Sequence, residues 1–151
     1  MANILIISGS VYGTATLVAE DLQIALEKNG HSVTHQDGGN SKSLADEALD
    51  LALIVTSTTG AGDVPANLMT FHEELLSAPP RINDLKYAVI ALGDSSYGET
   101  FCGAGRLIDE AMRDIGAVQV SEPLLLDALE NSSPEDDAIE WVENLLQTLF
   151  A

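Results

Sequence analysis

The sequence predicts an α/β domain: a doubly wound, five-stranded parallel sheet in the order 2-1-3-4-5, with helices on both faces. Three observations predict it. Short continuous apolar runs recur at Ile4–Ser8, Leu51–Thr56 and Tyr87–Leu92, as strands buried on both faces require. Stretches with apolar residues at helical spacing alternate with those runs. Loops rich in glycine, proline and small polar residues join the two kinds of segment, with no linker, repeat or low-complexity tail, so residues 1–151 read as a single domain.

The elements follow in order. Ile4–Ser8 is the first strand, and the helix after it, Thr14 to Asn29, carries Val18, Leu22, Ala25 and Leu26 inward and stops at Gly30. A weaker strand runs from His31 to about Gln36. The polar segment Asp37–Ser43 is a loop, followed by two turns of helix from Leu44 to Leu49. The third strand, Leu51–Thr56, leads to a helix whose inward face is Leu68, Phe71, His72, Leu75 and Leu76, closed by Pro79 and Pro80. The fourth, Tyr87–Leu92, leads to a helix with the stripe Ala104, Leu107, Ile108, Ala111, Met112 and Ile115, ending at Gly116. A last strand from about Val118 to Leu126 precedes a helix with Ile139, Val142, Leu145, Leu146 and Leu149 inward and Trp141 anchoring it. Ser133, Pro134, Glu135 and Asp136 give that helix its start signal: a cap, a proline in the first turn, and acids against the helix dipole.

Charge narrows the function classes. Twenty-four acidic residues face 6 basic ones, for a net charge of −18, which repels nucleic acid and anionic membranes and favours partners with a basic docking face. The one cysteine, Cys102, excludes a disulfide within the chain and a multi-cysteine metal centre. With no basic, apolar leader and no run long enough to span a bilayer, a cytoplasmic protein is expected. His31, His35 and His72 show no metal-ligand spacing.

In a 2-1-3-4-5 sheet a ligand sits beyond the carboxyl ends of the strands, which directs attention to three loops. Ser8-Gly-Ser-Val-Tyr-Gly-Thr-Ala15 joins the first strand to its helix with small residues, hydroxyls and no charge. Its amides, the hydroxyls of Ser10 and Thr14 and the helix dipole suit a phosphate dianion. The loop lacks the lysine of a nucleoside-triphosphate site and the dinucleotide glycine spacing. Ser57-Thr-Thr-Gly-Ala-Gly-Asp-Val-Pro65 offers backbone groups to a heteroaromatic edge, although alone it also reads as a glycine-rich turn with Asp63 as a cap. Gly93 to Gly103 places Tyr97 at the rim, as a ring that stacks on a flat ligand or as a packing residue. All three loops leave the same end of one sheet.

Ser10-Val-Tyr-Gly-Thr14, Ser57-Thr-Thr-Gly-Ala-Gly-Asp63, and Gly93-Asp-Ser-Ser-Tyr97 followed by Phe101-Cys-Gly103 resemble, in order and spacing, the phosphate loop and the two isoalloxazine loops of flavodoxins. Flavodoxin is itself a standard example of this sheet order. The resemblance covers nearly the whole chain, which within the family looks like the small, short-chain MioC and YqcA type, whose last strand carries no insertion. It implies an FMN-binding, low-potential one-electron carrier that turns over no substrate of its own, acting as a monomer between a flavodoxin reductase and acceptor redox enzymes. It assigns the phosphate to Ser10, Val11, Tyr12, Gly13, Thr14 and Ala15, and isoalloxazine contacts to Thr58, Thr59, Gly60 and Ala61. Tyr97 becomes the stacking ring, and Gly93, Asp94, Phe101 and Cys102 shape the remaining loop, with Cys102 as a filler and not a nucleophile. It gives the Gly60–Ala61 peptide to flavin N5, and makes Asp63, Asp94 and Glu99 the acids that oppose negative charge on the reduced flavin. Two departures predict weaker FMN retention: Thr59 stands where many flavodoxins carry an aromatic, and Tyr12 replaces a hydroxyl residue. One residue more than in the family's pattern separates Tyr97 from Phe101.

Three other classes compete. An FMN-dependent NAD(P)H quinone or nitro reductase needs a substrate pocket and usually longer loops. A phospho-receiver needs clustered acids after the first strand, where Ser8–Thr14 has none. A regulatory protein of the same fold would have lost flavin binding.

Overall fold

The computed structural model describes residues 2–10, 13–58, 63–82, 84–93, 102–127 and 133–150. The strands are β1 (Asn3–Gly9), β2 (Ser32–Asp37), β3 (Leu51–Ser57), β4 (Lys86–Gly93), β5 (Val118–Gln119) and β6 (Leu124–Asp127). The helices are α1 (Thr14–Lys28), α2 (Met69–Ser77), α3 (Gly103–Asp114) and α4 (Pro134–Phe150). The pairings among these strands are parallel and the order is β2-β1-β3-β4-β5, with β6 also beside β4, so the expected winding is present.

Two apolar layers hold the sheet. Alternate residues of a strand face opposite sides, so Ile4, Ile6, Leu51, Leu53, Val55 and Ile90 pack with Leu22 and Leu26 of α1 and Val142 and Leu146 of α4. Leu5, Ile7, Ala52, Ile54 and Val89 face the other way, against Phe71 and Leu75 of α2 and Ile108 and Met112 of α3. Leu53 and Ile54 are wholly buried, and truncating either to alanine costs about 2–5 kcal/mol. On the second side the carboxylate of Asp109 is buried. It is satisfied by the Tyr87 hydroxyl at 2.8 Å, Gln119 Nε2 at 3.0 Å and Arg113 at 3.2 Å, which ties β5 to α3.

Four expectations are corrected. The last strand is not continuous: the register changes from Tyr87↔Gln119 to Ile90↔Leu124, leaving two extra residues on that strand between the pairings. Pro123, which has no amide to donate, lies in the break. Instead of two helical turns over Leu44–Leu49 there is one short 3-10 turn, Lys42–Ala45. Leu76 is 63% exposed and Leu107 40% exposed, so neither belongs to its helix's buried face. The α2 segment is a 3-10 turn, Ala66–Leu68, that runs into a helix starting only at Met69.

Candidate functional site

Register fixes where the loops leave. Gly9 of β1 lies opposite Thr56 of β3, and Ser57 of β3 opposite Leu92 of β4, so three neighbouring strands end level at one edge. β1 is followed in sequence by β2 on one side, while β3 and β4 lie on the other, and the crevice opens where the winding reverses.

At that edge α1 begins in an unusual way. Gly13 adopts φ 86°, a left-handed conformation suited to glycine, and has no side chain with which to cap the helix. The first turn contains no acid, and the space where a side chain at Gly13 would sit is open. The dipole of 15 residues therefore meets no negative side chain of its own first turn. Ser10 Oγ lies 3.2 Å from Thr16 Oγ1, Thr14 is exposed, and Ala15 is fully buried beneath them. An uncharged donor set of amides and hydroxyls at an open helix start fits a phosphate-bearing group.

Behind this cradle is a polar network that the motif reading missed. The Thr16 hydroxyl donates to Asp37 Oδ1 at 3.4 Å, and Asn67 Nδ2 donates to the same oxygen at 2.9 Å. Asn67 Oδ1 accepts from the Ser10 amide at 3.1 Å. The buried Ser8 hydroxyl sits 2.7 Å from His35 Nε2. These contacts join residues from four segments, and only the alternation of β2 offered any local signal.

Of the expected ring-side residues, Thr58 follows β3 and its Oγ1 accepts from the Ala104 amide at 3.4 Å, linking that loop to the start of α3. Gly93 ends β4. Cys102 is fully buried, donates to the Ala91 carbonyl at 3.5 Å, and has its thiol pushed by burial from 9.0 up to about 11, against the pull of Arg106. A buried thiol held in its protonated form fits a packing role. Val11, Tyr12, Thr59, Gly60, Ala61, Asp94, Tyr97, Glu99 and Phe101 lie outside the described residues. Beside Asp63 is an open cavity of about 520 Å³, lined also by Val64, Met69, His72 and Leu107. Burial lowers the pKa of His72 there, with Glu73 opposing. Among the described residues no cluster of three or more His, Cys, Asp or Glu side chains is placed to hold a metal, and no helix is long and apolar enough to cross a membrane.

Comparison with known proteins bears directly on this geometry. The family model described as "Flavodoxin" matches residues 6–141, which takes in β1 from Ile6 onward, all of β2 to β6 and the switch-point crevice. The chain belongs to the flavodoxin family. It is 40% identical to flavodoxin YqcA of Pectobacterium carotovorum over 95% of this chain and 94% of that one. It is 36% identical to the protein MioC of Escherichia coli K12 over 99% of each. A cysteine-to-serine variant of a Pseudomonas aeruginosa flavodoxin superposes with a TM-score of 0.89 at 38% identity, over 99% of both chains. In this flavodoxin the resemblance drawn from the three loops therefore holds, for the family and for its fold.

Proposed function

We propose that this flavodoxin binds FMN and acts, as a monomeric single-domain protein of the cytoplasm, as a low-potential one-electron carrier between a reductase and acceptor enzymes, with no substrate turnover of its own. The observation that carries this reading is the start of α1: an open helix terminus with no acid in its own first turn and hydroxyls around it, at the switch point of a flavodoxin sheet. Bound there, FMN supplies the reversible one-electron chemistry.

The chain's own residues then have distinct tasks. Ser10, Gly13, Thr14 and Ala15 hold the phosphate by hydroxyls, amides and the helix dipole, and Val11 and Tyr12 complete the loop. Thr58, Thr59, Gly60 and Ala61 would line one side of the ring; Gly93, Asp94, Tyr97, Phe101 and Cys102 would shape the other. Asp63, exposed in the segment after β3, would add negative charge that opposes further charge on the ring and lowers its potential. The surplus of 24 acidic over 6 basic residues suits basic faces on the partner enzymes and gives association that weakens with salt.

The test is flavin fluorescence and visible absorption on addition of FMN to the purified apoprotein, followed by NADPH oxidation with and without an added flavodoxin reductase. Saturable quenching, with oxidation only when reductase is present, is the expected result. Absence of quenching removes the FMN reading, and NADPH oxidation by this protein alone makes it a reductase instead.

A further inference from the structure

Asn67 belongs to none of the three loop motifs, yet its side chain spans two of the elements that build the phosphate cradle. It stands in the 3-10 turn Ala66–Leu68, just after the loop that follows β3. The orientation of its amide is fixed by chemistry: a backbone N–H, here that of Ser10, meets only Oδ1, and a carboxylate, here that of Asp37, meets only Nδ2. Turning the group over would break both bonds.

The turn itself has little room to shift. Gly38, at the end of β2, donates its amide to the Ser8 carbonyl at 2.7 Å, and a Cβ on Gly38 would stand 2.1 Å from the Asn67 carbonyl oxygen. At φ 67° and with that contact, the position admits only glycine. Asp37 is the hub. Its Oδ1 accepts from Asn67 and from Thr16, whose hydroxyl is in turn 3.2 Å from Ser10 Oγ. The main chain of Ser10 is thus tethered through Asn67, and its side chain through Thr16, to one carboxylate. The Ser10 amide is engaged by Asn67 and, because Thr16 gives its single proton to Asp37, the Ser10 hydroxyl donates to Thr16; an incoming phosphate therefore meets first the amides at the start of α1, and takes the Ser10 hydroxyl only by turning it away from Thr16.

We propose that Asn67 is a positioning residue for the phosphate cradle: it fixes Ser10 against Asp37 and so couples phosphate binding to the segment that leads out of the ring-facing β3 loop. The proposal rests on the FMN reading for its ligand, but the tether to Ser10 is tested separately. A side chain that merely stabilised the fold would affect all flavins alike, whereas a cradle tether acts on the phosphate alone.

The experiment titrates the wild-type apoprotein and Asn67→Ala with FMN and with riboflavin, which lacks the phosphate. It also follows hydrogen exchange at the Ser10 amide in the flavin-free proteins by NMR. The expected result is FMN binding about tenfold weaker in Asn67→Ala, riboflavin binding changed by less than about twofold, and faster exchange at Ser10. Equal losses for both flavins, or unchanged FMN affinity, overturn the proposal. If the wild type binds neither flavin, the FMN reading fails, and exchange still decides the tether: faster exchange in Asn67→Ala upholds it and unchanged exchange overturns it. A paired variant gives a second measure. Asn67→Asp alone sets two carboxylates against each other, while Asn67→Asp with Asp37→Asn reverses donor and acceptor across the bridge, and recovery of Ser10 protection in the pair but not in the single variant is expected. No recovery in the pair counts against the bridge.

Discussion

The helices α1 and α4 both begin at the carboxyl end of the sheet, yet they treat that position in opposite ways. α4 opens with Pro134 followed by Glu135, Asp136 and Asp137, and the Ser133 carbonyl accepts from the Asp136 and Asp137 amides at 3.2 and 3.4 Å. Its own side chains answer the positive end of its dipole. α1 opens with Gly13 in a left-handed conformation and has no acid in its first turn. Since the two termini share the backbone partial charge common to any helix, the difference lies wholly in the residues chosen. The position of an anion site is thus marked by what the first turn of α1 omits.

The sharpest way to break that contrast is to give α1 the device that α4 uses. Thr14→Asp places a carboxylate in the first turn, at an exposed position that tolerates it sterically. The apoprotein should gain up to about 1 kcal/mol from the dipole. FMN binding should fall by roughly 100-fold or more, because a new charge beside a phosphate dianion costs several kcal/mol at a surface dielectric near 20 before screening. Thermal melting of the apoprotein and fluorescence titration read the two effects separately. An unchanged FMN affinity would move the phosphate away from α1 altogether.

How much of this was legible in the sequence depends on the range of the interaction. Ile4–Ser8, Leu51–Thr56 and Tyr87–Leu92 announced themselves because a strand buried on both faces must be apolar at every position. The last strand did not, because Leu124, Leu125 and Leu126 prolong the apolar look of Val118 and Val120 across a break that depends on pairing with β4. Leu76 and Leu107 sit near the edges of helical stripes, where spacing alone cannot separate a core position from an exposed one. At the site, Ser10, Gly13 and Thr14 were readable since a strand-loop-helix with hydroxyls and no charge is a local pattern. Asn67 was not: its bond to Ser10 joins residues 57 apart in the chain, through an exposed amide with no motif around it.

A third helix start, that of α3, sharpens the comparison from another side. It too lacks an acid in its first turn, but Cys102 caps it in a left-handed conformation, at φ 54°, with the thiol fully buried. Here the terminus is closed by packing and not left open. Because the folded thiol has its pKa raised from 9.0 to about 11, the unfolded chain loses its proton first as pH rises. The stabilising contribution is complete below about pH 9 and is lost progressively toward pH 11, amounting to about 2–3 kcal/mol. Urea unfolding over that range should show the decline, and Cys102→Ala should remove this component of it even though the variant is less stable at neutral pH. An identical slope in the variant would mean that some other group titrates.

The smallest expected effect comes from the reverse exchange, stripping α4 of its acids with Glu135→Gln, Asp136→Asn and Asp137→Asn together. The dipole loses its countercharge, so stability at low ionic strength should fall by about 1 kcal/mol, and by less in high salt. The formal net charge changes from −18 to −15 through the loss of these three carboxylates. If long-range repulsion governed flavin binding, this change would tighten FMN measurably. If the local field at the start of α1 governs it, the affinity in physiological salt should stay within about twofold, since salt weakens solvent-exposed charges as their distance from the phosphate grows. The same titration that registers a large loss in Thr14→Asp should therefore register almost nothing here, although this variant alters three charges and Thr14→Asp only one.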